Sequence, residues 1–354
     1  MKNRWSTLSW ALALVALALS IFGIDWLRYG GAFRSVQSGF DGRCRAIALG
    51  GSSRHLQLDR RRGLAYLSLL DRDSLAHGAA VDGTVMLLDL NLADPAPRAA
   101  MTFDPGNFRP QALSLLERAS APARLFAISQ HPDGSHQVEI AEQGSGGGFF
   151  PREAVRDPAF IDPSAIAATG EREFYLANNR TDSGAWAKLG ETLFRSGSAT
   201  LIHYDGARAH TVATGLAGIG GMATSPDASK LYVAETLAKA LRIYRRSPAN
   251  GALALDEIVE LDSAPTGLDV DEDGVVWIAA LPRLFRSGER DAAGPAPTLV
   301  LRFDPRKAGD ARVTRVYLND GDEISGGTVA ARWRDEFLIG ALFDKKVLIC
   351  KSNP

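Results

Sequence analysis

From Gly220 to Arg246 the chain reads GGMATSPDASKLYVAETLAKALRIYRR, with apolar and polar positions alternating on either side of short polar turns. MAT leads into the turn SPDASK, LYVAE follows, and LRIYRR comes after a short gap. Alternation of this kind, with turn residues between the runs, predicts antiparallel strands half buried on each face. The pattern recurs. Second strands of the same type begin at Ala65 (AYLSL), Leu125 (LFAIS), Phe174 (FYLAN), Leu231 (LYVAE), Val276 (VWIAA) and Phe337 (FLIGA). Each follows a strand and turn (HLQLDRRRG, ALSLLERASAPAR, AIAATGERE, MATSPDASK, LDVDEDGV, VAARWRDE). Each precedes a third strand (TVMLLDL, QVEIAE, TLIHYDG, LRIYRR, LVLRFD, KVLIC). A spacing of roughly 45 to 60 residues is that of propeller blades. The fold expected is all-β, a six-bladed β-propeller around a central tunnel. A β-sandwich gives no reason for six repeats, and most repeats leave no room for the helices of an α/β sheet.

One stretch lies outside the pattern. Trp5 to Leu27, WSTLSWALALVALALSIFGIDWL, carries no charge up to Ile24, and about 20 such residues span a bilayer core. Lys2 and Arg4 in front favour a cytoplasmic N-terminus, and Trp5 and Trp26 stand where interfacial aromatics belong. A cleaved signal peptide is the alternative, but SIFGID is a poor small-x-small cleavage site. The organisation expected is an uncleaved anchor over residues 1–27, a stalk over 28–42 and the propeller over 43–354. The chain is then a single-pass membrane protein with its propeller periplasmic or extracellular.

The length of 354 residues admits two average domains or one large all-β domain, and the repeat decides for one. A net charge of −1 without a basic tail or stripe excludes the electrostatic footprint of a nucleic-acid binder. Two cysteines, Cys44 and Cys350, stand near the ends of the folded part, and no CxxC or Cys/His cluster offers a zinc site. Export makes a Cys44–Cys350 disulfide the favoured expectation, over two unrelated buried thiols. It would staple an N-terminal strand (RCRAIAL) onto the last blade and close the ring.

Two insertions interrupt the blades. Ser183 to Gly197 (SGAWAKLGETLFRSG) puts Trp186, Leu189, Leu193 and Phe194 at helical spacing, either as a lid or membrane contact or simply packed on the propeller. Leu281 to Pro297 reads as a solvent loop. Gly144 to Gly148 has no strand-loop-helix setting and is a linker, not a phosphate loop.

SPDASKLYVAETLAKALRIY, GTVAARWRDEFLIGALFDKKVLIC, GTVMLLDLNLADP and HPDGSHQVEI resemble the corresponding stretches of the paraoxonase/arylesterase family. The similarity runs from about Cys44 to Cys350. It implies a six-bladed propeller with calcium in its tunnel, a disulfide joining the ends, and hydrolysis of aryl esters, lactones or some phosphotriesters through a calcium-bound oxyanion with histidine assistance.

The first residues of each inner strand converge on the axis at one end of a propeller, and calcium there takes six to eight oxygen ligands, several of them carboxylates. Where the family has Gly-Ser-Glu-Asp, this chain has Gly51, Ser52, Ser53, Arg54; for Asn-Asp it has Ser164 and Ala165. For Asn-Gly it has Gly220 and Gly221, and for Asp-Asn, Thr266 and Gly267. No carboxylate remains. The expectation is therefore a divergent member with no metal site, calcium entering as cofactor only if an altered site holds it. The family's Pro-His-Gly is Pro110, Gln111, Ala112 here, and its Asn-His-Pro-Asp is Gln130, His131, Pro132, Asp133. His131 is the candidate catalytic base, against a satisfied structural histidine. Ser53, Arg54, Gln111, Ser164, Gly220 and Thr266 are the candidate ligand-binding residues of the tunnel, with Asn178 and Glu235 after the second strands.

Asp269, Asp271, Asp273 and Gly274 mimic the start of an EF-hand loop, but Ala280 stands at the twelfth position, so a solvated hairpin is expected. No GxSxG elbow occurs. Three functions remain open: a tunnel that binds a small carbonyl-bearing or anionic ligand, a membrane-tethered scaffold or assembly factor for a membrane-protein partner, and an active arylesterase or lactonase with His131 as base.

Overall fold

The computed structural model describes residues 2–101, 108–118, 120–180, 197–284, 295–342 and 344–353. The alternating repeats form six four-stranded antiparallel sheets. Strand β1 (Gly42–Ala48) comes first in the chain but belongs to the last blade. Blade 1 is β2 (Ser52–Asp59), β3 (Leu64–Leu70), β4 (Thr84–Asp89) and β5 (Arg98–Met101). Blade 2 is β6 (Pro110–Leu116), β7 (Arg124–Gln130), β8 (His136–Gln143) and β9 (Phe149–Val155). Blade 3 is β10 (Pro163–Ala168), β11 (Glu173–Asn178), β12 (Ala199–Asp205) and β13 (Ala209–Leu216). Blade 4 is β14 (Ile219–Thr224), β15 (Lys230–Glu235), β16 (Ala240–Arg246) and β17 (Leu253–Glu260). Blade 5 is β18 (Ala264–Val270), β19 (Val276–Leu281), β20 (Thr298–Phe303) and β21 (Val313–Asn319). Blade 6 is β22 (Gly327–Trp333), β23 (Glu336–Ala341) and β24 (Lys346–Ser352), completed by β1.

Ring closure follows the cysteines. Cys44 stands opposite Cys350 in the β1–β24 ladder, and the two are joined as a disulfide. Neighbouring blades bury apolar faces against each other. Between blades 2 and 3, Phe126, Phe160, Phe174 and Tyr204 pack with Ile128, Ile166 and Ile202, and the Phe174 and Tyr204 rings stack at 5.0 Å. Between blades 6 and 1, Leu56, Leu67, Val329, Leu338 and Ile349 play the same part.

Helix α1 (Lys2–Tyr29) precedes the propeller. Its stretch Ser9–Tyr29 has a mean hydropathy of 2.0, and none of it is buried. At about 1.5 Å per residue it is long enough to cross a bilayer core. Residues 30–41 then run over the propeller. Tyr29 Oη donates to the Leu237 carbonyl at 2.7 Å, Lys239 Nζ donates to the Tyr29 carbonyl, and Leu284 N donates to Gly30 O at 2.9 Å. Arg34 bonds Ser263 Oγ at 3.0 Å, Gly39 N donates to Leu318 O at 2.8 Å, and Phe40 packs on Tyr317 and Phe337.

Blade 1 carries an insertion with no counterpart in the strand pattern. Helix α2 (Arg72–Ala76) is capped by Asp71, whose carboxylate accepts from Ser74 N and pairs with Lys345 Nζ at 2.7 Å. The helix expected in Ser183–Gly197 lies outside the described residues but for Gly197, as do residues 285–294 of the second expected insertion.

Candidate functional site

The six inner strands share one irregularity. Pairing between the first and second strand of each blade slips near the start of the inner strand: at Arg54–His55, Gln111–Ala112, Ser164, Gly220, Thr266 and Thr328. A bulge adds one residue to a strand and turns its side chain away from the ladder, and bulges concentrate beside functional sites. Six at one level build a ring at the tunnel end. Contacts join its members: Arg54 Nη1 donates to Gln111 Oε1 at 2.9 Å, Ser164 Oγ to Ile219 O at 2.8 Å, and Thr266 Oγ1 to Gly327 O at 3.0 Å.

Glycine sets the width on one side. A Cβ on Gly220 would stand 2.6 Å from the Thr266 carbonyl oxygen, and one on Gly267 would overlap the Thr328 carbonyl. Blades 4, 5 and 6 therefore meet backbone to backbone. Blades 1 and 2 contribute long side chains, Arg54 and Gln111, and blade 3 a buried serine, Ser164. Gln111 Nε2 continues the chain of bonds to Gln130 Oε1 at 3.4 Å. His131 follows in the β7–β8 hairpin, where its backbone N–H donates to Ser135 O at 2.9 Å. Its Nε2 is buried and bonded to no protein atom.

The charges of this end are lopsided. Among the described residues no carboxylate lies within 4 Å of the Arg54 guanidinium, and burial holds Arg54 below its ordinary value, with Asp162 opposing. Asp162 itself is engaged by Arg180 Nε at 2.7 Å. A second guanidinium, Arg72, is buried nearby, donating to Pro110 O at 2.8 Å and to Ser52 Oγ at 3.2 Å. Burial, aided by Arg54, brings Arg72 down to about 9. The same two causes bring His55 down to about 4, so its imidazole is neutral near pH 7. His136, in the same hairpin as His131, is lowered by burial, with Asp162 opposing.

Arg54, Gln111, Gly220 and Thr266 are thus brought together on the ring, and all four are partly accessible. Ser164 is on the ring but buried, its hydroxyl spent on backbone carbonyls. Ser53 is fully buried beneath Arg54, with its hydroxyl on His55 O. Asn178 and Glu235 are enclosed in blade walls. Asn178 bonds Ala159 O and Asp162 N, and Glu235 accepts from Ala217 N and pairs with Arg242. Sequence reasoning missed Thr328, Arg72 and Asp162. Thr328 is the threonine of the GT that opens GTVAARW, which was a signal; nothing in the sequence tied Arg72 or Asp162 to the axis.

The calcium that the resemblance implies is poorly matched by these donors. Its ligands would have to be anionic or carbonyl oxygens. The ring instead offers one guanidinium, one amide, three hydroxyls and a glycine, and two of the hydroxyls already donate to carbonyls. Among the described residues no three His, Cys, Asp or Glu side chains gather as a metal site.

The opposite end of the tunnel is different. A cavity of about 550 Å³ opens among the last residues of the inner strands of blades 1 to 5, including Gln57, Glu117, Thr169 and Met222. Arg60 reaches across it to Asp269, and to Glu272 at 3.2 Å. Burial pushes Asp269 up to about 6 against the pull of Arg60. The hairpin expected at Asp269–Gly274 is present, but Asp269 and Asp271 are buried rather than solvated. Asp271 accepts from Asp273 N, Val275 N and Trp277 Nε1, which shapes the turn.

The sequence matches the arylesterase family model over residues 63–351. Serum paraoxonase/arylesterase 1 of Rattus norvegicus is 28% identical over 269 residues, 74% of this chain and 75% of the relative. Serum paraoxonase/arylesterase 2 of the same species is 26% identical over 352 residues, 96% of this chain and 98% of the relative. Among solved structures, a putative gluconolactonase superposes with a TM-score of 0.54 at 13% identity, covering 90% of this chain and 98% of the other. A luciferin-regenerating enzyme does so with a TM-score of 0.53 at 13% identity, covering 88% and 95%. These last two bear on fold alone. Family model and relatives together cover the propeller from blade 1 to its closing strand, and the chain belongs to the arylesterase family.

Proposed function

We propose that this chain is a membrane-anchored, exported member of its family that binds a small anionic or carbonyl-bearing ligand at the bulge ring, without calcium-dependent hydrolysis. The observation that carries the proposal is Arg54, a half-buried guanidinium on the ring beside Gln111 that has, among the described residues, no carboxylate within 4 Å. A partly desolvated charge left without a counter-ion carries a cost, and stability is commonly given up at binding sites. A ligand carboxylate, accepting two parallel N–H bonds, would supply that counter-ion. Gln111 fixes the guanidinium, Arg72 adds positive potential from behind, and Thr328 of the adjoining blade 6 has a hydroxyl with no protein hydrogen-bond partner. No bond of the ligand is broken in this role. The scaffold role is an outcome that the test below also separates. Hydrolysis with His131 as base has one observation in its favour, the unbonded Nε2, but among the described ring residues only Arg54 carries a positive charge for a developing oxyanion.

The experiment is the melting temperature of the purified full chain in detergent against acetate, benzoate, 4-hydroxybutyrate and its lactone. A ligand at ten times its Kd adds about 1.4 kcal/mol of stability, a rise of a few degrees. At least one carboxylate is expected to raise the melting temperature of the wild type and to do nothing to Arg54→Gln. Equal effects on both proteins would remove the ring from the account. A response to none of these ligands, with a membrane protein co-purifying, would favour the scaffold.

A further inference from the structure

We propose that the junction between α1 and the propeller is a binding site for the phosphate of an anionic phospholipid. The proposal rests on α1 being a retained anchor. Four cations from three parts of the chain meet at this junction. Arg28 is in the last turn of α1 and exposed. Arg34 follows six residues later, its side chain 41% exposed. Lys239 comes from the loop after β15, its Nζ on the Tyr29 carbonyl and over the Tyr29 ring at 4.3 Å. Arg283 comes from the loop after β19 and donates to Arg34 O at 2.7 Å.

Arg28, Arg34 and Lys239 line a notch of about 350 Å³ with Phe33 and Asp262. Two carboxylates oppose the cations. Asp262 is 3.8 Å from Arg34 but 77% exposed, and Asp25 lies one turn before Arg28. Among the described residues neither Arg28 nor Arg283 has a carboxylate within 4 Å, so the notch keeps a positive surplus.

Its depth selects the occupant. The apolar span ends at Tyr29, so the notch begins where headgroups begin. Phe33, 67% exposed beside it, is an aromatic of the kind that settles at that level. Basic residues flanking a span gather on the cytoplasmic side, yet here Arg28 and Arg34 match Lys2 and Arg4 in number. A headgroup site accounts for arginines at this end. Because Tyr29 and Gly30 are fastened to the loops after β15 and β19, a bound headgroup would also hold the bulge-ring end of the tunnel towards the bilayer.

The test places the full chain in nanodiscs of phosphatidylcholine with or without phosphatidylglycerol, then counts retained lipid by native mass spectrometry. Phosphatidylglycerol is expected to be enriched over phosphatidylcholine on the wild type. Arg28→Gln with Arg34→Gln should weaken that enrichment about fivefold per removed charge, while Arg28→Lys with Arg34→Lys keeps most of it. Arg28→Gln alone, which touches no propeller bond, guards against misfolding. Equal retention by the Gln variants would overturn the proposal. So would displacement of the lipid by millimolar inorganic phosphate, which would mark a soluble-anion site. The intact mass of membrane-extracted protein separates the two levels. Loss of α1 sinks the anchor, whereas retained α1 without enrichment sinks only the lipid site.

Discussion

Replacing Cys44 and Cys350 with alanine tests how the ring is held shut. The bridge joins residues 306 apart in sequence. On the chain-entropy relation, closing a loop of that length restricts the unfolded chain by about 6 kcal/mol. The folded ring does not depend on the bridge alone. Strand β1 keeps its seven-residue ladder with β24, and Phe40 keeps its contacts with Tyr317 and Phe337. The double variant is therefore expected to fold, with stability lower by roughly 4 to 6 kcal/mol and a melting temperature lower by about 10 °C. The assay is urea unfolding of wild type, reduced wild type and variant, with native-state hydrogen exchange beside it. Reduced wild type and variant should agree, because Cys350 is buried and alanine leaves only a small void there. Exchange should quicken first in β1 and β24 and last in β14 to β16. A loss below about 1 kcal/mol, or uniform exchange, would refute the idea that one strand and one bond close the circle.

At the bulge ring, Gly267→Ala puts a methyl group into the Thr328 carbonyl; a cost of about 1 to 3 kcal/mol is expected in urea unfolding, while Gly274→Ala, with open space around it, is penalised only through its positive φ. At the far end, Asp269 is raised to about 6 in the folded protein, above an unfolded value near 3.9. Between those values the folded state holds a proton that the unfolded chain has lost, so stability falls as pH rises from about 4 to 6, by up to about 3 kcal/mol. Asp269→Asn should flatten that part of the stability–pH curve, and an unchanged slope would contradict the assignment. His55 acts with the opposite sign: its folded value of about 4 lies below an unfolded value near 6.5, so its contribution is lost as pH falls through that window, and His55→Asn should remove it.

The strands were legible because each obeys a local rule. All six second strands fall inside β3, β7, β11, β15, β19 and β23, and the cysteines named the closing pair. The site was legible only in part. Arg54, Gln111 and Thr266 could be placed on the axis through a family resemblance, but a bulge is a slip in pairing between two strands and leaves no mark in either. Ser53 shows the consequence. One residue from Arg54, it faces into the blade, because the irregular pairing between Ser53 and Leu56 decides which neighbour turns inward. Asn178 and Glu235 share the position at the end of a second strand. Their fate depends on partners distant in sequence, Ala159 and Ala217, that no local pattern predicts. Arg72 enters through an insertion confined to blade 1, where repetition offers no guide. The junction of α1 was invisible for a related reason: Tyr29, Lys239 and Arg283 are polar residues scattered along the chain until the fold brings them together.

The central claim is that Arg54 has replaced calcium chemistry with anion binding. The most direct measurement is a calorimetric calcium titration of the full chain, run beside phenyl acetate turnover with and without chelator. The account predicts no saturable calcium heat at micromolar to millimolar concentration and no chelator-sensitive turnover. A calcium isotherm together with turnover abolished by chelator would contradict it.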